Sequence, residues 1–197
     1  MSTTYSISPT LGELIDVEMG EIKVSSCLTD TLLGYGLGAG VGVCVYDPSL
    51  KVAGLAHIVL PERQNFTAGA GKDRRDIAPG KFADTAIPFL IEEVCRCGGQ
   101  ANNLCATIVG GAHIFSQGAA LGGPISRLEI GQRNTNAVTL ALSRHNIQIV
   151  ASDIGGCHGR TVSLRVSDGM VTVRPIGATD SVLAVLGRER EAAGGVR

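Results

Sequence analysis

The sequence that decides the fold of this 197-residue chain is TLLGYGLGAGVGVCVYDP, residues 31–48, followed closely by GLAHIVLP, residues 54–61. The runs 41–46 and 52–59 are rich in β-branched and other apolar residues, which is typical of buried strands. Between them, Asp-Pro-Ser-Leu (47–50) is a turn composition with proline at its second position. The stretch therefore predicts an antiparallel hairpin.

The register of this hairpin brings two positions together. With Pro48 and Ser49 at the turn centre, Gly40 is predicted to lie directly opposite His57. Directly opposed β carbons of antiparallel strands are roughly 4.5–5.5 Å apart. That separation would suit a nucleophilic side chain at position 40 and His57 as its imidazole base. The same register places Cys44 away from His57, so Cys44 is predicted to be a core residue.

The remainder of the chain alternates between strand and helix patterns, which predicts an α/β protein. Strands are predicted at 21–26, 104–109 and 147–152, helices at 84–97 and 134–145, and a hairpin at 161–174 around Asp168-Gly169. Asp84 or Thr85 is the predicted cap of the first helix. Residues 62–80 are predicted to form a loop that covers the site.

The two quoted runs resemble the signature of the chemoreceptor glutamine deamidase (CheD) family. In that family the first run is approximately Thr-Tyr-Gly-Leu-Gly-Ser-Cys-Val-x-Val, and its cysteine attacks the side chain of a receptor glutamine. Here the cysteine position is Gly40, the serine position is Ala39, and the family's hydroxyl-bearing position is Gly34. Of the site that the resemblance implies, this sequence retains the base, His57.

Further segments resemble the family in its order and close to its spacing: 19–24, 82–88, 109–115, 130–134 and 153–161. The resemblance implies an α/β sandwich of mixed sheets with flanking helices, related to the catalytic domains of deamidating bacterial toxins. It implies one domain over residues 1–176. Residues 177–197 are predicted to be a tail with a short helix followed by disorder.

The mechanism that the resemblance implies needs a thiol. A thiolate attacks the amide carbon, the imidazole takes the thiol proton and returns one to the leaving ammonia, and water completes hydrolysis to glutamate. Glycine supplies neither a nucleophile nor a proton. Two functions in bacterial chemosensory signalling stay open: a catalytically deficient module that binds chemoreceptor helices or a CheC-type phosphatase, and an active glutamine deamidase with a rearranged site.

Two single residues carry alternatives of their own. His57 is either the remaining base or a structural strand histidine that contacts a partner. Phe115 follows the glycine pair at 110–111 and is either an exposed anchor for a partner or a core residue. His113 and His145 are predicted to lie on the surface.

Charge and aromatic content exclude several classes of protein. A net charge of −1, with three Tyr, four Phe and no Trp, offers neither a basic footprint nor stacking platforms, so nucleic-acid binding is not expected. No apolar run approaches the roughly 20 residues of a membrane helix, and the polar first residues lack the regions of a signal peptide. A cytoplasmic protein without membrane insertion is predicted.

No cofactor and no metal are predicted. The glycines at 36, 38, 40 and 42 recur with a period of two and lead into a strand, which does not fit a nucleotide-binding loop. They instead predict that another backbone, or a substrate segment, lies close to this strand. Cys95-x-Cys97 has a spacing unsuited to zinc knuckles.

Cys157 and His158 form a second Cys–His couple in the sequence. Adjacent side chains of an extended segment point to opposite faces, so this pair is predicted to belong to a turn and not to a site.

Overall fold

The computed structural model describes residues 12–63, 78–113 and 130–187. In chain order the strands are Leu14–Asp16 (β1), Ile22–Ser25 (β2), Thr31–Leu37 (β3), Val41–Asp47 (β4), Val52–Ile58 (β5), Cys105–Gly110 (β6), Gln148–Ile154 (β7), Arg160–Arg165 (β8), Met170–Pro175 (β9) and Ser181–Val185 (β10). The α-helices of the described residues are Ala83–Arg96 (α1) and Ile130–Arg144 (α2).

The strands form two five-stranded mixed sheets. The first sheet has the order β1-β3-β8-β9-β10, and the second has the order β2-β5-β4-β6-β7. β1 runs parallel to β3 and β6 runs parallel to β7, whereas the remaining pairs are antiparallel. The predicted α/β sandwich of mixed sheets with flanking helices is thereby confirmed.

The second sheet is the middle layer of the molecule. One face of β4 carries Cys44 and Tyr46 into the core between the sheets, and the other carries Val43 and Val45 into a core shared with the helices. All residues of β4 and β5 are buried. Because both faces are covered, these strands are continuously apolar and do not alternate with polar residues.

Helix α1 packs closely on β5. A Cβ on Gly54 would lie 2.7 Å from Leu90 Cδ1 and 2.8 Å from Val94 Cγ2, so glycine is what permits this approach. The predicted cap is wrong: α1 begins after Phe82 without a side-chain cap, and the Thr85 hydroxyl donates to carbonyl oxygens of the preceding turn.

No described helix combines the length and apolar composition needed to cross a bilayer.

The predicted register of the β4–β5 hairpin is wrong by two residues. Asp47 pairs with Val52, so the loop has four residues, and His57 pairs with Gly42 instead of Gly40. The Asp47 carboxylate accepts hydrogen bonds from the backbone of residues 49 and 50, and Lys51 adopts a φ of 54°, which together extend the turn. A shift of two residues preserves the face of every side chain.

The predicted short helix in the tail is also wrong. Ser181–Val185 is β10, which pairs antiparallel with β9 and completes the first sheet. A segment this short cannot sustain an isolated helix, whereas the exposed edge of β9 supplies backbone partners to a β-branched strand. Residues 188–197 lie outside the described part of the chain.

Candidate functional site

The chain crosses from the first sheet to the second at residues 38–40. The Gly38 carbonyl accepts a hydrogen bond from the Ala112 amide at 2.7 Å, and the Gly40 carbonyl accepts one from the Gly111 amide at 2.9 Å. A Cβ on Gly110 would collide with the Gly40 carbonyl oxygen. Another backbone therefore lies close to this strand, as expected, and Gly110 is the glycine whose missing side chain permits the approach.

His57 lies beside this crossing. The residue is 2% exposed and its side chain faces the space between the sheets. A Cβ built on Gly40 would lie 3.0 Å from His57 Nε2 and 3.0 Å from the Ile58 carbonyl oxygen. Position 40 therefore points at the imidazole as a diagonal neighbour, although the two residues are not directly paired. Both distances are shorter than an ordinary van der Waals contact.

Burial governs the ionisation of His57. Desolvation lowers the pKa of the imidazole below 6.5, and the backbone of Val17 beside the ring opposes this more weakly. Nδ1 has no hydrogen-bond partner among the described residues. The ring is therefore neutral at pH 7.

Stability should consequently fall in mild acid because of His57. Above pH 6.5 neither the folded nor the unfolded state binds a proton at this ring. Below that value the unfolded chain binds one and the folded chain does not, so the free energy of unfolding decreases as pH falls towards the lowered folded pKa. Urea unfolding between about pH 7.5 and about pH 5.5 should show a loss of up to about 1 kcal/mol from this group.

The control for this effect is a histidine on the surface. His57→Gln should flatten the pH dependence by that amount, whereas His145→Gln, at an exposed position, should leave it unchanged. An identical slope in the wild type and in His57→Gln would contradict the burial argument.

Gly34 lies in β3, buried in the core between the sheets. A Cβ here would be 3.3 Å from Val162 Cγ1 and 3.4 Å from Leu55 Cδ2, both apolar atoms. The position that the resemblance assigns to a hydroxyl is thus closely packed by hydrocarbon. Glycine fits that packing without strain.

Asn134 ties helix α2 to both sides of the crossing. Its side chain is fully buried, and Nδ2 donates to the Ala39 carbonyl at 2.8 Å and to the Val59 carbonyl at 2.9 Å. Sequence reasoning included Asn134 in a family-like segment but gave it no role. The available signal was a polar residue on the buried face of an amphipathic helix, next to Thr135 and Val138.

Cys44 lies closer to the imidazole than the predicted register allowed. It pairs with Leu55, not Ala53, so its partner is two residues from His57 along β5 and not four. Its thiol is nevertheless fully buried, and burial raises its pKa to about 12. None of the hydrogen bonds of the described residues joins a cysteine sulfur to His57, and Cys44 is the core residue that was predicted.

Cys157 and His158 do come together, contrary to the prediction of opposite faces. Cys157 Sγ lies 3.3 Å from His158 Nδ1, and both residues are exposed. The prediction failed because the segment is not extended: Gly155 and Gly156 have φ values of 77° and 72° and bend the chain before the pair. Such left-handed conformations are readily available to glycine.

Other predicted residues have mixed outcomes. His145 is exposed as predicted, whereas His113 is half-buried. Phe115 and most of the predicted covering loop, 64–77, lie outside the described residues, so their roles stay predictions. In the described ranges, no three His, Cys, Asp or Glu side chains converge in a way that could hold a metal ion.

Comparison with known proteins identifies the family. The sequence model of the family described as "CheD chemotactic sensory transduction" matches residues 59–175. The chain is 38% identical over 161 residues to a protein of Symbiobacterium thermophilum named "Probable chemoreceptor glutamine deamidase CheD", covering 82% of this chain and 92% of that protein. A protein of the same name from Desulforamulus reducens is 41% identical over 171 residues, covering 86% and 95%. This chain belongs to the CheD family.

Proposed function

We propose that this chain is a catalytically deficient CheD protein that acts in chemotaxis by binding chemoreceptor helices, with a CheC-type phosphatase as a second partner. The observation that carries the proposal is position 40. The residue that points at the buried imidazole is a glycine, so position 40 supplies no thiol to attack an amide.

The packing around this position supports the proposal. A Cβ on Gly40 would lie 3.0 Å from His57 Nε2, so a cysteine side chain at this position would need the ring to move. Position 34 is surrounded by hydrocarbon and carries no hydroxyl. The packing at both positions therefore suits a residue without a side chain.

A second candidate is an active glutamine deamidase with a rearranged site. The relatives of this chain are named as probable glutamine deamidases, which supports an activity of this kind. One observation also favours it: Cys157 and His158 form a thiol–imidazole couple on a loop that is hydrogen-bonded to the end of β6 beside Gly40. The test is ammonia release from receptor glutamines. Release by the wild type that is lost in Cys157→Ser would establish this candidate in place of the first.

The proposal includes a cytoplasmic location. All six cysteines of the chain are free, and four of them, at 27, 95, 97 and 157, are exposed. Free exposed thiols suit a reducing compartment.

The surface that suits a receptor helix surrounds the crossing. We name Tyr35, Ile154 and Ile176 the apolar rim; they are 48%, 43% and 72% exposed. Tyr35 lies where the β3–β8 pairing is irregular, Ile154 pairs with Gly110 at the end of β7, and the Ile176 amide donates to the carbonyl of Gly159. All three flank the strand ends that hold Gly40. Phe115 is a further anchor proposed from sequence alone.

Tyr35→Ala should weaken binding of a receptor cytoplasmic helical fragment by roughly 1–3 kcal/mol, because exposed aromatic residues are frequent anchors of interfaces. Isothermal titration calorimetry with the wild type and the variant measures the change. Phe115→Ala is expected to have an effect of the same size.

Leu50→Ala is the matched control. Leu50 is 46% exposed, close to the value for Tyr35, but it lies in the β4–β5 loop at the opposite end of the strands. Binding should be unaffected by this change. Equal losses in the Tyr35 and Leu50 variants, or no loss in either, would place the interface elsewhere.

A further inference from the structure

The Cys157–His158 couple has the parts of a reactive thiol site outside the Gly40–His57 region. Cys157 Sγ is 3.3 Å from His158 Nδ1 and 3.9 Å from Nε2, so the imidazole is placed to take the thiol proton. Both side chains are exposed, and no atom of the described residues lies within 4 Å of a Cβ built on Gly155. A small reagent can therefore reach the sulfur from solvent.

The loop that carries the couple is held from beneath by Arg160. Its guanidinium donates to the carbonyl oxygens of Gly155 at 2.8 Å and of His158 at 3.1 Å, on either side of Cys157. The same guanidinium forms an ion pair with Asp153 at 3.0 Å. The Arg160 side chain is only 11% exposed, so this support is part of the folded framework. A fixed backbone keeps the nucleophile and its base in one geometry.

Two backbone hydrogen bonds connect this loop to the loop beside Gly40. The Gly155 amide donates to the Gly110 carbonyl at 2.9 Å, and the His113 amide donates to the Gly156 carbonyl at 2.8 Å. Gly111 in turn binds the Gly40 carbonyl. A chemical change at Cys157 would therefore occur beside the chain crossing that contains Gly40.

The other exposed cysteines lack such a base. Cys27 Sγ contacts the Thr29 hydroxyl at 3.2 Å, and Cys95 and Cys97 lie exposed at the end of α1. No hydrogen bond in the described residues joins any of these three sulfurs to an imidazole. These three cysteines are therefore internal controls for the reactivity of an exposed thiol that has no imidazole beside it.

We propose that Cys157 is a modification site, a thiol oxidised by hydrogen peroxide with His158 as its base. The imidazole takes the thiol proton, and the thiolate sulfur attacks one peroxide oxygen. An S–O bond forms as the O–O bond breaks, and the proton held by His158 goes to the departing hydroxide, which leaves as water. The cysteine is oxidised by two electrons to sulfenic acid, and the peroxide is reduced.

The site is tested by measuring every thiol of the full chain at once. The reduced protein is treated with limiting hydrogen peroxide and a dimedone-type sulfenic-acid trap, and labelling at each cysteine is followed over time by peptide mass spectrometry. Cys157 should be labelled about tenfold faster than Cys27, Cys95 or Cys97, because in the described residues none of those sulfurs is hydrogen-bonded to an imidazole.

Two variants separate the base from mere exposure. His158→Gln, a surface change that keeps a polar side chain, should reduce labelling of Cys157 to the rate of the other exposed cysteines. His145→Gln should leave it unchanged. Equal labelling of the four exposed thiols in the wild type, or fast labelling of Cys157 that survives His158→Gln, would overturn the proposal. The result does not depend on whether receptor binding is found.

Discussion

Ammonia release from receptor glutamines is expected to be several orders of magnitude slower for this chain than for a CheD protein with cysteine at the position of Gly40. Removal of the nucleophile from a catalytic unit typically costs about that much in rate. His57 can still accept a proton, but none of the six cysteines, all of which lie in the described ranges, is hydrogen-bonded to its ring. The measurement is ammonia release from peptides of the receptor helix, with the mass change from glutamine to glutamate as a second readout.

Gly40→Cys alone should restore only a small part of this activity. The new Cβ would lie 3.0 Å from His57 Nε2 and 3.0 Å from the Ile58 carbonyl, so the imidazole must move before the thiol can occupy a productive position. Ala39 and Gly34 also differ from the family's pattern. Full activity in the single variant would show that the site is preformed and would contradict this interpretation of the packing.

Rates comparable to those of a cysteine-bearing relative in the unmodified chain would defeat the proposed deficiency. Cys157→Ser is then the informative control, because Cys157 and His158 are the described thiol and imidazole within hydrogen-bond distance of each other. Activity that persists in this variant would require a third source of nucleophile.

Asn134→Ala should lower the free energy of unfolding by about 2–4 kcal/mol, the largest stability effect expected here. The wild-type side chain donates to two buried carbonyls, of Ala39 and Val59, which lie before β4 and after β5. Alanine leaves both acceptors without these donors in a region that water does not reach. Chemical denaturation monitored by circular dichroism measures the change.

Asn136→Ala is the matched control on the same helix. Asn136 is exposed and bonds to the side chain of Gln132 on the surface of α2. Its replacement should change stability by less than about 0.5 kcal/mol. Similar losses in both variants would mean that the helix itself, and not the buried donor, accounts for the effect.

Much of the fold followed from local pattern. The continuous apolar runs of β4 and β5, the helical spacing in α1 and the turn residues at 168–169 are signals carried within a few residues of each other. β10 was mistaken for a helix because its short apolar run has no decisive period, and its state depends on the free edge of β9. Pairing with a distant strand is not visible in local sequence.

The candidate site likewise depends partly on local sequence pattern and partly on tertiary structure. The proximity of Gly40 and His57 survived an error of two residues in the register, because side chains on a strand alternate with a period of two. The register itself depended on the Asp47 carboxylate and on the backbone of Lys51, which define a four-residue loop. Local turn geometry therefore decided that Gly42 lies directly opposite His57 and that Gly40 is its diagonal neighbour.

The sequence by itself determined the family resemblance, from which the sandwich was expected, because a resemblance depends on residue types and their spacing. Short-range periodicity also placed an imidazole near a position that has no side chain. Only the tertiary structure decided that Asn134 binds both flanking carbonyls and that Cys157 meets His158. The first depends on contacts between residues far apart in the chain. The second depends on two glycine backbones whose positive φ values are stabilised by neighbouring loops, since glycine alone does not prefer one sign of φ.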